Sequence, residues 1–371
     1  MMKKTFANIF LPVFCAALTI ALAFIFYPRA EAQTVQRTQK TPTPIPVIKT
    51  PVPQPTVNPT PTPDEVIRIE TEEVTLNVRV VDRNNRPINN VPESAFKVYE
   101  DGVPQTLTSF SKGEVPTNYS LVLDNSGSLR PQLEKVIEAG KILIGTNRPD
   151  DETSIIRFVS SDKIEITQDF TSNKNDLNDA LDNLFIEGGQ TAIIDAVYLA
   201  AEKVDQYEKS RDPNDKKRRA LILVSDGEDR DSFYKEQQLF QLLRETDVQI
   251  YTIGFVNDLE KEGGFISKSP QAKAKSLLER LASETGGKSY FPNSTGELND
   301  IARDISSELR TQYLISYAPT NDKKDTTFRN IKVTVDDGPN KEKRIAITRS
   351  GRTAAPSKPG STPALQNQTG P

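Results

Sequence analysis

The stretch Tyr119-Ser-Leu-Val-Leu-Asp-Asn-Ser-Gly-Ser128 decides the fold. An apolar run, Tyr119 to Leu123, reads as a strand that empties into a polar turn, and a helix is expected over Leu129–Ile144. Asp124, Ser126 and Ser128 place a carboxylate and two hydroxyls at alternate positions of that turn. An all-oxygen set of this kind suits a hard divalent cation, and Mg²⁺ keeps some of its waters for an outside group.

Working outward, strands and helices alternate. Strands are expected at Ser154–Val159, Lys163–Asp169, Ala220–Ser225, Gln249–Phe255 and Ser289–Phe291. Helices are expected at Lys174–Asn183, Ala192–Glu208, Phe233–Glu245, Ala272–Glu284 and Gly296–Arg310. The Ala192 helix carries an apolar stripe at Ile193, Ala196, Val197, Ala200 and Val204. The Ala220 and Gln249 strands are almost wholly apolar, as parallel strands covered on both faces are. The pattern predicts an α/β fold with a doubly wound, mainly parallel sheet. In strand order 3-2-1-4-5-6 the Tyr119 and Ala220 strands are neighbours at the switch point, where ligands collect beyond the carboxyl ends of strands. Asp226-Gly227 ends the Ala220 strand, and Glu187-Gly-Gly-Gln-Thr191 precedes the Ala192 helix. Five oxygen side chains are then expected to converge: Asp124, Ser126, Ser128, Thr191 and Asp226.

Taken singly, each has a plainer reading. The Asp124 turn and Thr191 could cap helices, and Asp226-Gly227 could be a simple turn. Together and in this order they resemble the metal-ion-dependent adhesion site (MIDAS) of von Willebrand factor type A domains, over roughly residues 116–315. The flanks Ala95-Phe-Lys-Val-Tyr-Glu-Asp-Gly102 and Arg310-Thr-Gln-Tyr-Leu-Ile-Ser-Tyr317 resemble the surroundings of this domain in a bacterial exported subgroup. The resemblance implies a Rossmann-like fold and a bound Mg²⁺, with Mn²⁺ or Ca²⁺ as alternatives. Ser126, Ser128 and Thr191 would contact the metal. Asp124 and Asp226 would bind it through water or orient the hydroxyls. A protein ligand would complete the metal's sphere with an Asp or Glu carboxylate. Specificity would lie in the surrounding loops, Phe255–Lys273 among them. Glu228, Asp229 and Asp231 read as a solvated charged loop, with a second cation site or repulsion of acidic ligands as alternatives, and Lys216-Lys-Arg-Arg219 as an exposed helix–strand connection, with partner or membrane binding as the alternative.

Before the α/β segment, residues 65–115 read as a small β module: Val74–Val81 alternates, Phe96–Glu100 and Gln105–Phe110 follow, and Asp101-Gly102 turns the chain. After Arg310, strands are expected at Gln312–Tyr317, Phe328–Val335 and Arg344–Thr348, joining the early module in one sandwich. Residues 351–371 have the composition of a disordered tail.

At the N-terminus, Lys3 and Lys4 precede an apolar stretch from Ile9 to Tyr27, and Ala30-Glu-Ala32 resembles a cleavage site. Residues 1–32 therefore read as a signal peptide or a retained membrane anchor, the apolar stretch being just long enough to span a bilayer. Residues 33–64 are proline-rich. As a polyproline stalk they would reach on the order of 90 Å at roughly 3.1 Å per residue; plain disorder has the same consequence for reach. The chain is expected to be exported, to a periplasmic, cell-surface or secreted location, with a tether if the leader stays.

Composition narrows the function. The net charge of −4 becomes −6 without residues 1–32, which carry Lys3, Lys4 and Arg29 against Glu31. That disfavours nucleic acid as a partner. The 371 residues include no histidine, and the single cysteine, Cys15, lies in the leader. An imidazole base, a thiolate nucleophile and a Cys/His zinc site are thereby excluded from a processed chain. No Gly-rich phosphate loop with Lys-Ser/Thr is present. The expectation is a non-enzymatic module for metal-dependent adhesion that captures a protein or other anionic ligand; the alternative is a scaffold subunit of an envelope assembly using the same site. The sequence fixes no oligomeric state.

Overall fold

The structure, a computed structural model, describes residues 73–113, 115–209, 217–261, 268–323, 325–354 and 366–367. The expected leader and proline-rich linker lie outside the described residues, as does most of the expected tail. Among the described residues no helix is long and apolar enough to cross a membrane.

In chain order the strands are β1 Val74–Val81, β2 Phe96–Glu100, β3 Val103–Gln105, β4 Leu107–Lys112, β5 Thr117–Asp124, β6 Glu152–Phe158, β7 Ile164–Thr171, β8 Arg218–Ser225, β9 Gln249–Gly254, β10 Ser289–Tyr290, β11 Tyr313–Tyr317, β12 Phe328–Val335, β13 Ile345–Ile347, β14 Gly351–Thr353 and β15 Gln366–Asn367. The helices are α1 Leu133–Gly145, α2 Lys174–Asp182, α3 Ile193–Lys209, α4 Glu236–Glu245, α5 Pro270–Thr285 and α6 Leu298–Arg310.

The central sheet runs β10-β9-β8-β5-β6-β7-β15. Its pairings are parallel except for β6 with β7. Counting from β5 and setting aside the edge strand β15, this is the order 3-2-1-4-5-6, with the switch point between β5 and β8. Alternation along the strands sends side chains to two cores. Val122, Leu221, Leu223 and Ile250 face α3, α4 and α5. Leu121, Leu123, Ile222, Val224 and Ile253 face α1, α2 and α6. Burying each such side chain stabilises the fold by about 1.5–3 kcal/mol, so this alternation holds the helices on both faces.

The helix expected from Leu129 begins later. Gly127–Leu129 forms a single 3-10 turn and α1 starts at Leu133, because Pro131 has no N–H to continue an α-helical ladder. Helix α5 has clear local signals: Ser269 Oγ accepts the Ala272 N–H at 3.2 Å, Pro270 opens the helix, and Gly286 closes it at φ 79°.

The flanking strands form two antiparallel sheets, β13-β1-β11-β4 and β14-β12-β2-β3. Each combines strands from before and after the α/β segment: β1 pairs with β11 (Leu76 opposite Ile315) and β2 with β12 (Val98 opposite Val333). One apolar cluster, including Leu76, Phe96, Val98, Tyr313, Ile315 and Val333, serves both sheets. The expected strand Gln105–Phe110 is split at Thr106: β3 pairs with β2 and β4 pairs with β11, so the chain changes sheets there.

Lys217–Arg219 do not form an exposed connection. Lys217 bonds Glu152 at 3.2 Å. Arg218 is buried and donates to the backbone carbonyls of Leu309 at 2.6 Å and Gln312 at 2.5 Å, tying α6 and β11 to the start of β8. Arg219 bridges Asp205 and Asp247. The basic residues fall on the first positions of a central strand, where neighbouring elements cover them.

Candidate metal centre

Asp124 is the last residue of β5, and Asp226 directly follows β8. These strands pair in parallel with Leu123 opposite Val224, so the two carboxylates leave the sheet side by side at its switch point. Both are buried, at 3% and 5% exposure. Asp124 Oδ1 accepts the Ser126 N–H at 2.9 Å, and its Oδ2 accepts the Ser225 hydroxyl at 2.7 Å. Asp226 Oδ1 accepts the Glu228 N–H at 3.0 Å. Neither forms an ion pair with a described Lys or Arg. Burial pushes the Asp124 carboxyl up to about 6, against the hydrogen bonds from Ser126 and Ser225, and the neighbouring Asp226 charge adds to the rise.

The hydroxyls sit on the turn between β5 and α1. Ser126 Oγ and Ser128 Oγ are 3.0 Å apart. Asn125 fixes this turn from behind: its N–H donates to Phe158 O at 2.9 Å, its Nδ2 to Phe185 O at 2.5 Å, and its carbonyl accepts the Glu187 N–H at 3.2 Å. The loop that carries Thr191 is thereby bonded to the Asp124 turn. Gly188 and Gly189 take φ of 83° and 138°, and a Cβ on Gly189 would stand 2.6 Å from Val159 Cγ1, so that loop needs glycine there. Thr191 is buried, and its carbonyl accepts the N–H groups of Arg230 and Asp231 at 2.8 and 3.2 Å. Glu187 faces away into ion pairs with Arg157 and Lys163.

This donor set suits a hard divalent cation. Two ligand oxygens at adjacent corners of a Mg²⁺ octahedron, each about 2.1 Å from the metal, lie about 3 Å apart; the two serine hydroxyls are at 3.0 Å. Among the described residues no group of three His, Cys, Asp or Glu side chains is placed to hold a metal, so a cation here relies on hydroxyls.

A sequence profile of the von Willebrand factor type A domain matches residues 120–304, and the strand order, the two three-helix layers and the switch-point turn agree with it. The chain carries a von Willebrand factor type A domain. An uncharacterised protein of Synechocystis sp. is 32% identical over 191 residues, covering 50% of this chain and 40% of that relative, so the chain matches less than half of the relative's length. Among solved structures, an aerotolerance-related membrane protein of Bacteroides fragilis shares 20% identity at a TM-score of 0.39, over 52% of this chain and 98% of that one. A von Willebrand factor type A protein of Catenulispora acidiphila shares 10% at 0.43, over 76% and 75%. Proximal thread matrix protein 1 of the mussel byssus, solved with zinc in its MIDAS motif, shares 18% at 0.42, over 53% and 48%. These likenesses are too distant to bear on function.

Several residues of this von Willebrand domain's switch-point face were not singled out from sequence. Ser225 donates to Asp124 and accepts the Gly227 N–H at 3.1 Å, linking the two strand ends. Its place as the only hydroxyl closing the Ala220 run was the available signal. Asp195 and Ser232 bond the loop after Asp226; a carboxylate set within the apolar stripe of α3 was the signal there. Asp229, read as part of a solvated acidic loop, instead accepts the Ile194 N–H at 3.2 Å and the Ser232 hydroxyl. Of the candidate specificity loop Phe255–Lys273, residues 262–267 lie outside the described residues.

Proposed function

We propose that this protein is a metal-dependent binding module that captures a protein ligand outside the cytoplasm. One observation carries the reading: two buried carboxylates, Asp124 and Asp226, share the switch point without an ion pair to any described Lys or Arg, next to paired serine hydroxyls. Two such charges out of water call for a cation. Ser126, Ser128 and Thr191 are the direct contacts for Mg²⁺, or for Mn²⁺ or Ca²⁺, and Asp124 and Asp226 supply its counter-charge and orient the hydroxyls. When bound, the cation provides an electrophilic position that takes a carboxylate. Three neutral hydroxyls leave that position electron-poor, which favours an Asp or Glu of the partner over a neutral group.

The protein's own residues prepare the position. Ser225 holds Asp124, and Asn125 holds the loops on either side. Domains of this family are typically interaction modules rather than enzymes, and the absence of histidine throughout this chain accords with that role. The leader and proline-rich segment support export and a stalk.

Calorimetric titration of Mg²⁺ and Mn²⁺ into the full chain tests the reading. One-to-one binding is expected, abolished by Asp124→Ala and strongly weakened by Ser126→Ala. Binding that survives both substitutions would sink it. An affinity capture with and without EDTA, using this same chain as one bait and prey, separates self-assembly from capture of another protein.

A further inference from the structure

We infer that Asp195 is a positioning residue for the metal centre, holding the loop after Asp226 against the loop of Thr191; the inference rests on the metal-binding reading above. Asp124 and Asp226 are placed by paired strands. Thr191 is not, since it precedes a helix instead of ending a strand. The next residue, Ala192, donates its N–H to Val159 O at 3.2 Å just beyond β6, and the separation of Thr191 from Asp226 is further held by bonds between loops.

Those bonds form two tiers. Nearest the centre, the Thr191 carbonyl accepts the N–H groups of Arg230 and Asp231. Behind them Asp195, fully buried in the first turn of α3, accepts the Phe233 N–H on Oδ2 at 2.7 Å and the Tyr234 N–H on Oδ1 at 2.8 Å. The Asp195 N–H donates to Ser232 Oγ at 3.2 Å, and the Ser232 hydroxyl donates to Asp229, which accepts the Ile194 N–H. Tyr234 then stacks on Tyr198, one turn further along α3, with ring centroids 3.9 Å apart.

A buried aspartate is a poor choice for packing the apolar stripe of Ile193, Ala196 and Val197, where a small apolar residue would do. The helix N-terminus and two N–H donors make its charge tolerable. Both of its oxygens bond one loop, so that loop's conformation is what the carboxylate specifies. The segment from Ser225 to Tyr234 is held at its start by Ser225 on Asp124 and at its end by Asp195. Between these anchors the Arg230 and Asp231 N–H groups are kept in place to hold the Thr191 carbonyl.

The test is Mn²⁺ calorimetry on the full chain, comparing wild type with Asp195→Ala, Asp195→Asn and a control, Leu76→Ala, in the β layers. Loss of outlying hydrogen bonds that orient metal ligands costs about 10–100-fold in affinity. Asp195→Ala is expected to fall in that range. Asp195→Asn, which keeps one acceptor, should lose less, and Leu76→Ala should bind as wild type although it is less stable. Amide exchange at Arg230 and Asp231 in the metal-free protein should speed up in both Asp195 variants and not in the control. Should Asp195→Ala fail to fold, Asp195→Asn and Ser232→Ala carry the same comparison. Wild-type Mn²⁺ affinity in a folded Asp195→Asn overturns the inference while leaving the metal reading intact. Absence of binding in wild type overturns the metal reading and, with it, the role of Asp195.

Discussion

Two regions of this molecule bury carboxylates, and they do so in opposite ways. In the β layers Glu100, 3% exposed, accepts Arg352 Nε at 3.0 Å and the Tyr317 hydroxyl at 2.6 Å, with Arg329 at 3.5 Å. Burial acts to raise its carboxyl, but the hydrogen bonds from Arg352 and Tyr317 and the two guanidinium charges hold it below the usual glutamate range. At the switch point Asp124 is equally buried, has hydroxyl and amide donors in place of guanidinium groups, and is pushed up. The same chemical group is therefore a closed structural element in one place and an open valence in the other. The lesson is that counter-charge, more than burial, separates a carboxylate locked into ion pairs from one held by neutral donors alone.

The largest effect should come from breaking the closed network. Glu100→Gln takes the shared buried carboxylate from Arg329 and Arg352, with the more exposed Asp325 still near Arg329, and is expected to cost about 3–5 kcal/mol, read from denaturant midpoints. Asp124→Asn in metal-free protein should cost far less, or stabilise, because it relieves repulsion from Asp226. Equal losses in the two variants would erase the distinction drawn between the regions.

Next in size is the response to metal. At a hundredfold excess over its dissociation constant, a cation that binds only the folded state adds about 2.7 kcal/mol of stability. Mg²⁺ or Mn²⁺ should raise the melting temperature of wild type and of Glu100→Gln alike, and leave Asp124→Ala unmoved. A metal-dependent rise in Asp124→Ala would place the cation elsewhere.

Acid should act on the closed network in a defined direction. The folded Glu100 carboxyl lies below its unfolded value near 4.5. Its contribution is therefore fully present above the unfolded value and is lost as pH falls through the lower, folded one. Stability measured from pH 6 downward should decline more steeply in wild type than in Glu100→Gln. Smallest of all is the exposed Lys97–Asp336 pair on the same sheet, with both side chains more than half exposed. Lys97→Ala should leave the unfolding midpoint where it is, since solvent screens such pairs.

Strong local patterns were legible. β1 occupies the segment read from alternation, β2 and β12 occupy segments read as strands, and the apolar Ala220 run lies in the central β8. Local signals misled where one residue changed the geometry. Pro131 delays α1, Thr106 carries the chain between sheets, and of the basic run Arg218, the first residue of β8, is drawn inward by carbonyls of residues 309 and 312 while Lys217 and Arg219 pair with carboxylates. The charge pattern alone read that run as solvated because its acceptors lie far along the chain.

By itself the sequence determined the alternation of strands and helices, and it put Asp124, Ser126 and Ser128 on a single turn, because near-neighbour spacing and side-chain periodicity are local properties. It also excluded histidine and cysteine chemistry from the processed chain. Only the tertiary structure decided that Asp124 and Asp226 are buried side by side without an ion pair to a described Lys or Arg, and that Ser225 and Asp195 bond the loops around them. Those facts depend on strand pairing and on hydrogen bonds across distant segments, and the free energy of a buried charge is set by whatever the fold brings next to it.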